Sequence, residues 1–302
     1  MPAIITGSTG FVGENLKSYF AISGISFSSL SRKDLTLMNL LWINKEDTVI
    51  HLAGKAHDLN KVSSPEQYYE VNFELTKNLY DTFLRSEANK FIFISSVKAA
   101  ADKINIQLYE NYSPDPKTHY GKSKLMAEQY IQNQPLPEGK SYYILRPCMI
   151  HGPGNKGNLN LLYSLVSKGL PWPLGMFENS RSYLSIENLC FIIRELIERE
   201  DIPSGVYNVA DDAPLSTNEV INLIAESKGK KAKILNVNTT FIELLARVGD
   251  FLKLPLNSER LQKLTESYVV SNAKIKAALG KPLPVSSKEG LIKTFQSFSS
   301  NA

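Results

Sequence analysis

The feature that most limits what this chain can become lies at its start. An apolar run, Ala3–Thr6, continues directly into Thr6-Gly7-Ser8-Thr9-Gly10-Phe11-Val12-Gly13, and helical periodicity follows to Phe20. A short apolar run reads as a buried strand, and apolar residues at a period near 3.6 read as a helix. Three glycines at intervals of three suit a tight strand-to-helix turn. A residue without a Cβ lets the chain turn, lets a ligand approach the backbone and lets the helix pack closely on the strand. The helix N-terminus offers unpaired N–H groups and a partial positive charge, which suit a pyrophosphate. This order of elements predicts a dinucleotide-binding unit with Gly7, Gly10 and Gly13 around the phosphates.

The alternation continues. Ile25–Leu30, Thr48–Leu52, Phe91–Ile94 and Ser141–Leu145 read as strands, with helical patterns over Glu66–Ala88 and His119–Gln132. Phe91–Ile94 has no polar position, as expected of a strand covered on both faces. Strands alternating with helices predict an α/β fold with a doubly wound parallel sheet and right-handed crossovers. After Arg146-Pro147 the pattern changes. Gly152-Pro153-Gly154 opens a loop, Ser185–Glu200 is helical and Val206–Val209 reads as a strand returning to the sheet. Thr217–Lys228 and Thr240–Lys253 are helical. For 302 residues, this predicts a nucleotide-binding domain over 1–150 with 185–210 returning to it. A smaller, mainly helical C-terminal substrate domain is expected over 151–184 and 211–302. Phe241, Leu244, Leu245, Val248, Phe251 and Leu252 repeat at helical spacing and are read as an interdomain core face. No stable membrane association is therefore expected.

Two further clusters carry chemistry. Tyr120 and Lys124 stand at i, i+4 near the start of a predicted helix, so they share a face. An ammonium beside a phenol favours the phenolate and lowers the tyrosine toward working pH. Such a tyrosine moves a proton to or from a hydroxyl while hydride moves to or from a cofactor. Ser95-Ser96 ends the Phe91–Ile94 strand, where α/β folds place ligands. The acid that accepts hydrogen bonds from an adenosine ribose at the end of the second strand is missing. Leu30-Ser31-Arg32-Lys33 stands there, and Arg32 and Lys33 either pair with a 2′-phosphate or are solvated charges.

With these residues the sequence resembles the extended short-chain dehydrogenase/reductases of the NAD-dependent epimerase/dehydratase family, in the nucleotide-sugar 4-epimerase and 4-ketoreductase group. The matching segments are the glycine turn, Val49–Gly54, Val71–Leu79, Phe91–Ser96, Tyr120–Lys124, Leu145–Gly154 and Arg181–Leu189. The resemblance implies a Rossmann-type sheet and a catalytic set of Ser96, Tyr120 and Lys124, with Tyr120 as acid/base. It implies cofactor contacts from Gly7, Ser8, Thr9, Gly10, Phe11, Val12, Gly13, Ser31, Arg32, Leu52, Ala53, Gly54, Lys55, Asn72, Tyr120, Lys124 and Pro147. Ser96, Asn158 and Arg181 are implied at the substrate, where a guanidinium suits a diphosphate.

Val97 and Lys98 stand where a dehydratase carries its acid pair, so elimination of water is not expected. The implied reaction is NAD(P)-dependent chemistry at C4 of a UDP-sugar. Reduction of a UDP-4-keto-6-deoxy-hexosamine with NADP(H) is favoured over 4-epimerisation with NAD(H), because Arg32 replaces the acid. A regulator that binds the cofactor without catalysis is disfavoured, since Tyr120 and Lys124 are both present. The resemblance also implies a homodimer.

Composition adds exclusions. The net charge of +4 is too mild to argue for nucleic acid. Two cysteines, Cys148 and Cys190, make no disulfide framework and suit a reducing, cytoplasmic setting. His51, His57, His119 and His151 lack the spacing of a metal site, so no metal is expected.

Overall fold

The computed structural model describes residues 2–31, 47–55, 64–155, 157–252 and 257–299. Its strands are β1 (Ala3–Thr6), β2 (Phe27–Leu30), β3 (Thr48–His51), β4 (Lys90–Ile94), β5 (Ser141–Pro147), β6 (Met149–His151), β7 (Tyr183–Ser185) and β8 (Gly205–Val209). Among the described residues, six form one sheet in the order β2-β1-β3-β4-β5-β8, with every pair parallel. Strands β6 and β7 pair separately. Every residue of β1, β3 and β4 is buried, which is why their centres, Ala3–Ile5, Val49–Ile50 and Phe91–Ile94, read as apolar with no alternation. The chain steps from β1 to β2 on one side, then to β3 on the other. This reversal opens a crevice at the strands' carboxyl ends.

Alternating side chains divide the sheet's two faces. Ile5, Ile50, Ile92 and Leu145 join Phe20 and Leu196 in one core. Ile4, Val49, Phe91 and Ile144 join Tyr80 and Phe83 in the other. Helix α1 (Phe11–Ser23) follows β1 and ends at Gly24, whose φ of 70° forms a left-handed cap. The single helix expected over Glu66–Ala88 is divided. A helix α2 (Pro65–Tyr69) leads into a π-helical turn, Glu70–Glu74, and then α3 (Leu75–Arg85). Apolar periodicity does not register one extra residue in a turn, so this feature is invisible in the sequence. Helix α4 (His119–Asn133) precedes β5.

A third core lies outside the sheet. It gathers Leu159, Trp172, Tyr183, Ile221, Ile224 and Phe295 from α5 (Asn158–Ser167), α7 (Thr217–Glu226), α11 (Ser287–Ser299) and the segments between them. Helix α6 (Ile186–Glu198) packs on the sheet, and β8 returns to it as expected. Helices α8 (Thr239–Leu252), α9 (Ser258–Thr265) and α10 (Ala273–Leu279) complete the C-terminal lobe.

One expectation fails here. Ile242, Ala246 and Gly249 are the buried residues of α8. Phe241, Leu244, Leu245, Val248, Phe251 and Leu252 are exposed, Phe251 to 87%. The stripe read as an interdomain core is an outer surface, because α8 packs through its neighbouring face. No helix among the described residues is long and apolar enough to cross a membrane.

Candidate active site

The glycine turn lies at the carboxyl end of β1. Gly7 has a φ of +68°, and a Cβ there would lie 2.6 Å from the Ala53 amide nitrogen. A Cβ on Gly13 would lie 2.5 Å from the Gly7 carbonyl oxygen. Both obstacles are backbone, so the turn and the segment after β3 interlock only without side chains. Gly10 is the N-cap of α1, and no side chain caps that end. This leaves first-turn N–H groups to a ligand phosphate. A glycine-lined cradle with an uncapped helix end fits a dinucleotide pyrophosphate. Around it Ser8 is buried, Thr9 exposed, and Phe11 and Val12 half-buried.

The segment after β3 is tied to this turn. Thr6 Oγ1 accepts the Ala53 N–H at 3.1 Å, and the Leu52 N–H donates to the Thr6 carbonyl. His51 lies between two hydroxyls, with Nδ1 2.7 Å from Thr6 Oγ1 and Nε2 2.9 Å from Thr76 Oγ1. Thr76 donates its own proton to the Asn72 carbonyl. It therefore accepts from Nε2–H, and Nδ1 accepts from Thr6. Burial, aided by the charge of Lys124, lowers His51 to about 3, so the ring is neutral.

Asn72 sits on the π-helical turn and faces this segment. Its Oδ1 accepts the Lys55 N–H at 2.7 Å, and its Nδ2 donates to the Lys55 carbonyl and to Ser123 Oγ, each at 3.1 Å. Ser123 in turn donates to the Tyr120 carbonyl. π-Helical turns recur at functional sites, and this one aims an amide at both Lys55 and α4. The Lys55 ammonium donates to Gln67 at 2.7 Å. A side chain on Gly54 would meet Asn72 Oδ1 and Lys124 Nζ, both 3.1 Å from its Cβ.

Helix α4 brings up the acid/base candidate. Thr118 caps it by accepting the Gly121 N–H at 3.1 Å, and Asp102 accepts from the Lys117 and Thr118 amides. Gly121 has no room for a Cβ against the Lys98 carbonyl. The helix therefore lies directly on the loop that follows β4. Tyr120 thereby stands beside Ser96, close enough that the serine hydroxyl acts on its phenol. Ser96 Oγ also accepts the Lys98 N–H at 3.2 Å.

The expectation that Lys124 lowers the Tyr120 phenol is not met. Burial raises it above its ordinary value, with the Ser96 hydroxyl opposing. Lys124 instead donates to the Ile94 carbonyl at 2.9 Å and lies over the Phe93 ring. Burial lowers its ammonium to about 8, with Glu128 opposing.

Sequence reasoning missed the support beneath this set. Glu128 is fully buried one turn beyond Lys124. It accepts from Arg146 Nε at 3.0 and 3.1 Å and from Nη2 at 2.5 Å, and Ser95 Oγ donates to it at 2.5 Å. The i, i+4 spacing of Lys124 and Glu128 is a sequence signal; the arginine 18 residues away is not. Pro147 ends β5 opposite Val209.

The substrate candidates are further out. Asn158 is exposed at the start of α5. Arg181 donates to the Lys263 carbonyl and lies 3.7 Å from Glu266. Its charge is felt by Lys98, so it neighbours the loop after Ser96. Ser31 is exposed just beyond β2, and Arg32 lies outside the described residues.

A model of the NAD dependent epimerase/dehydratase family matches residues 3–210, well over half of the chain. The chain belongs to this family. Members are NAD(P)-dependent enzymes of the extended short-chain dehydrogenase/reductase type, and this chain is such an enzyme. It is 32% identical to a UDP-glucose 4-epimerase of Vibrio cholerae, over 98% of this chain and 94% of the relative. It is 27% identical to a GDP-6-deoxy-D-mannose reductase of Pseudomonas aeruginosa, over 74% of this chain and 78% of the relative. The solved structure of MoeE5 in complex with UDP-glucuronic acid and NAD superposes with a TM-score of 0.76 at 19% identity, covering 100% of both chains. That likeness shows the Rossmann fold.

Proposed function

We propose that the protein is an NAD(P)-dependent enzyme acting at C4 of a UDP-activated sugar, and that the reaction is 4-epimerisation. The observation that carries this reading is the placement of Tyr120 beside the Ser96 hydroxyl at the carboxyl end of β4, with Lys124 one turn behind. Similarity to a UDP-glucose 4-epimerase across nearly the whole chain supports the nucleotide and the reaction.

The glycine turn, the segment Leu52–Lys55, Asn72 and Lys124 would hold the dinucleotide. A nicotinamide held there would supply the hydride acceptor and donor for C4. Tyr120 takes the proton from the C4 hydroxyl in the first half and gives it back in the second. Ser96 hydrogen-bonds the same oxygen and orients it. In the unliganded chain burial keeps Tyr120 protonated, the form that gives a proton to a keto oxygen; taking a proton in the first half needs the phenolate, which the positive charge of an oxidised nicotinamide would favour. Residues 151–184 and 211–302 would form the substrate unit, with Asn158 and Arg181 toward the diphosphate. The reading includes a homodimer in the cytoplasm.

Net reduction of a UDP-4-keto-sugar is the second reading. Leu30-Ser31-Arg32-Lys33 has no acid for a ribose diol, which favours NADPH and turnover with cofactor exchange. It rests on one end of a strand, whereas the similarity spans the chain. No carboxylate replaces Val97 or Lys98, and Lys98 donates to the Asp102 carbonyl at 2.5 Å. This supports the exclusion of a dehydratase.

The test is to purify the protein without added cofactor, release what is bound, and follow UDP-sugars by NMR. Stoichiometric NAD⁺ with interconversion of C4 epimers is the expected result. Empty sites, with NADPH-dependent consumption of a UDP-4-keto-sugar and no interconversion, would replace epimerisation by reduction.

A further inference from the structure

The C-terminal lobe carries an apolar stripe and a lysine cluster that the catalytic reading does not use. At about 100° per residue, Phe241, Leu244, Leu245, Val248, Phe251 and Leu252 fall within an arc of about 120° on α8. All six are exposed, Leu244 to 57% and Phe251 to 87%. Ile242, Ala246 and Gly249 form the adjoining buried strip. Glu243, Arg247 and Asp250 occupy the opposite side. A soluble surface rarely presents so many contiguous large apolar side chains without a partner.

The second feature lies on the chain just before α8. Lys228, Lys230, Lys231 and Lys233 line a cavity with apolar walls that include Leu170 and Ile221. The rim is joined to the lead-in of α8 by a short ladder. The Trp172 N–H donates to the Lys233 carbonyl at 2.7 Å, and the Leu235 N–H donates to the Trp172 carbonyl at 2.8 Å. Leu170 and Leu235 are themselves about half exposed, at 52% and 47%. Five residues lie between Lys233 and Thr239, a span of at most about 22 Å. The lysines and the start of the stripe therefore belong to one end of the lobe.

We propose that this end is an interfacial docking surface for an anionic lipid membrane. The α8 stripe enters the boundary between headgroups and acyl chains, and the lysine rim meets lipid phosphates. An amphipathic helix with Phe, Leu and Val on one side and cations nearby has the composition of an in-plane interfacial helix. Charge complementarity decides the occupant. An anionic bilayer satisfies both features at once. The expectation of no stable membrane association rested on burial of this stripe, and the structure removes that ground. The inference is independent of which reaction the active site performs.

The experiment is sedimentation of the full chain with vesicles at physiological salt. Vesicles of phosphatidylcholine alone are compared with vesicles containing a quarter phosphatidylglycerol. The protein should pellet with the anionic vesicles and stay in solution with the neutral ones. Each lysine near an anionic surface is worth about fivefold, so Lys230→Gln/Lys231→Gln/Lys233→Gln should weaken binding about 100-fold. Leu244→Ser/Phe251→Ser removes two inserted side chains and should weaken it by at least as much. Both variants should keep the wild-type thermal midpoint, since the altered residues are exposed. The proposal is overturned if the wild-type chain does not pellet, if neutral vesicles bind equally, or if either variant binds like wild type. It is also overturned if Leu244→Ser/Phe251→Ser splits a wild-type dimer that does not bind vesicles, which would assign the stripe to a second copy.

Discussion

At the residue scale the site depends on where protons can reside. Tyr120 carries the hydroxyl that reaches Ser96. Tyr120→Phe keeps the ring and removes the acidic proton. Turnover should fall by about 100-fold or more, while cofactor binding, read by fluorescence titration, stays within a few-fold. Near-normal turnover would remove Tyr120 from the mechanism. His51 makes a different prediction. Its ring is fully buried and its value is lowered from 6.5 to about 3, so between these values the unfolded chain binds more protons than the folded one. Stability is therefore present above pH 6.5 and is lost as pH falls toward 3. One such group contributes a slope of at most about 1.4 kcal/mol per pH unit. Urea unfolding of His51→Gln across that window should show a shallower slope than wild type. An unchanged slope would place the acid sensitivity elsewhere.

At the element scale, α4 is attached to the sheet by the Glu128–Arg146 pair, which also takes the Ser95 hydroxyl at the end of β4. Both partners are nearly inaccessible, with side-chain exposures of 4% and 0%. Removing one charge leaves the other buried and uncompensated. Glu128→Gln should cost about 3–5 kcal/mol of folding stability. Replacing both partners by apolar residues, as in Glu128→Leu/Arg146→Met, should recover much of that loss, because a buried pair adds little over a packed apolar core. A double variant no more stable than the single would mean that the pair is net stabilising. The glycine turn is a second element-scale case. The Gly13 Cβ position overlaps the backbone of Gly7 and Ser8. Gly13→Ala must push α1 away from the turn, at a cost of about 1–3 kcal/mol. Calorimetric titration with NAD(H) and NADP(H) should show weakened binding of both, since the phosphate cradle itself is displaced.

At the scale of the whole molecule, the sheet and the C-terminal lobe meet behind Ser96. Tyr268 lies in the lobe, and its hydroxyl donates to the Ala101 carbonyl at 2.6 Å and to the Val97 carbonyl at 3.2 Å. Lys98 lies over the same ring at 4.5 Å. Arg181 pairs backbone groups with Leu215, and the Ser182 N–H donates to the Tyr268 carbonyl. The loop that presents Ser96 is thus braced from the lobe that would hold the substrate. Tyr268→Phe leaves two buried carbonyls without this donor and should cost about 1–3 kcal/mol. Denaturant melts would read the loss, and an unaltered midpoint would show that other contacts carry the joint.

The parts of this protein legible in its sequence are those set by neighbours along the chain. A strand-to-helix turn that excludes Cβ atoms is written in Gly7, Gly10 and Gly13. Tyr120 and Lys124 share a helical face by spacing alone, and the unbroken apolar strands announce a sheet covered on both sides. These are local rules of steric fit and periodicity, so the sequence by itself determined the parallel α/β architecture and the shared helical face of Tyr120 and Lys124. Tertiary structure decided what each face meets. A π-helical turn adds one residue inside an apparently regular helix and so aims Asn72 at Lys55 and Ser123. Burial, not the neighbouring ammonium, governs the Tyr120 phenol. Glu128 and Arg146 find each other only when β5 is laid beside α4. The stripe on α8 has the same periodicity whether a core or a solvent lies opposite it. Periodicity records how apolar side chains are spaced on their own helix, and only packing between distant segments determines which of them are covered.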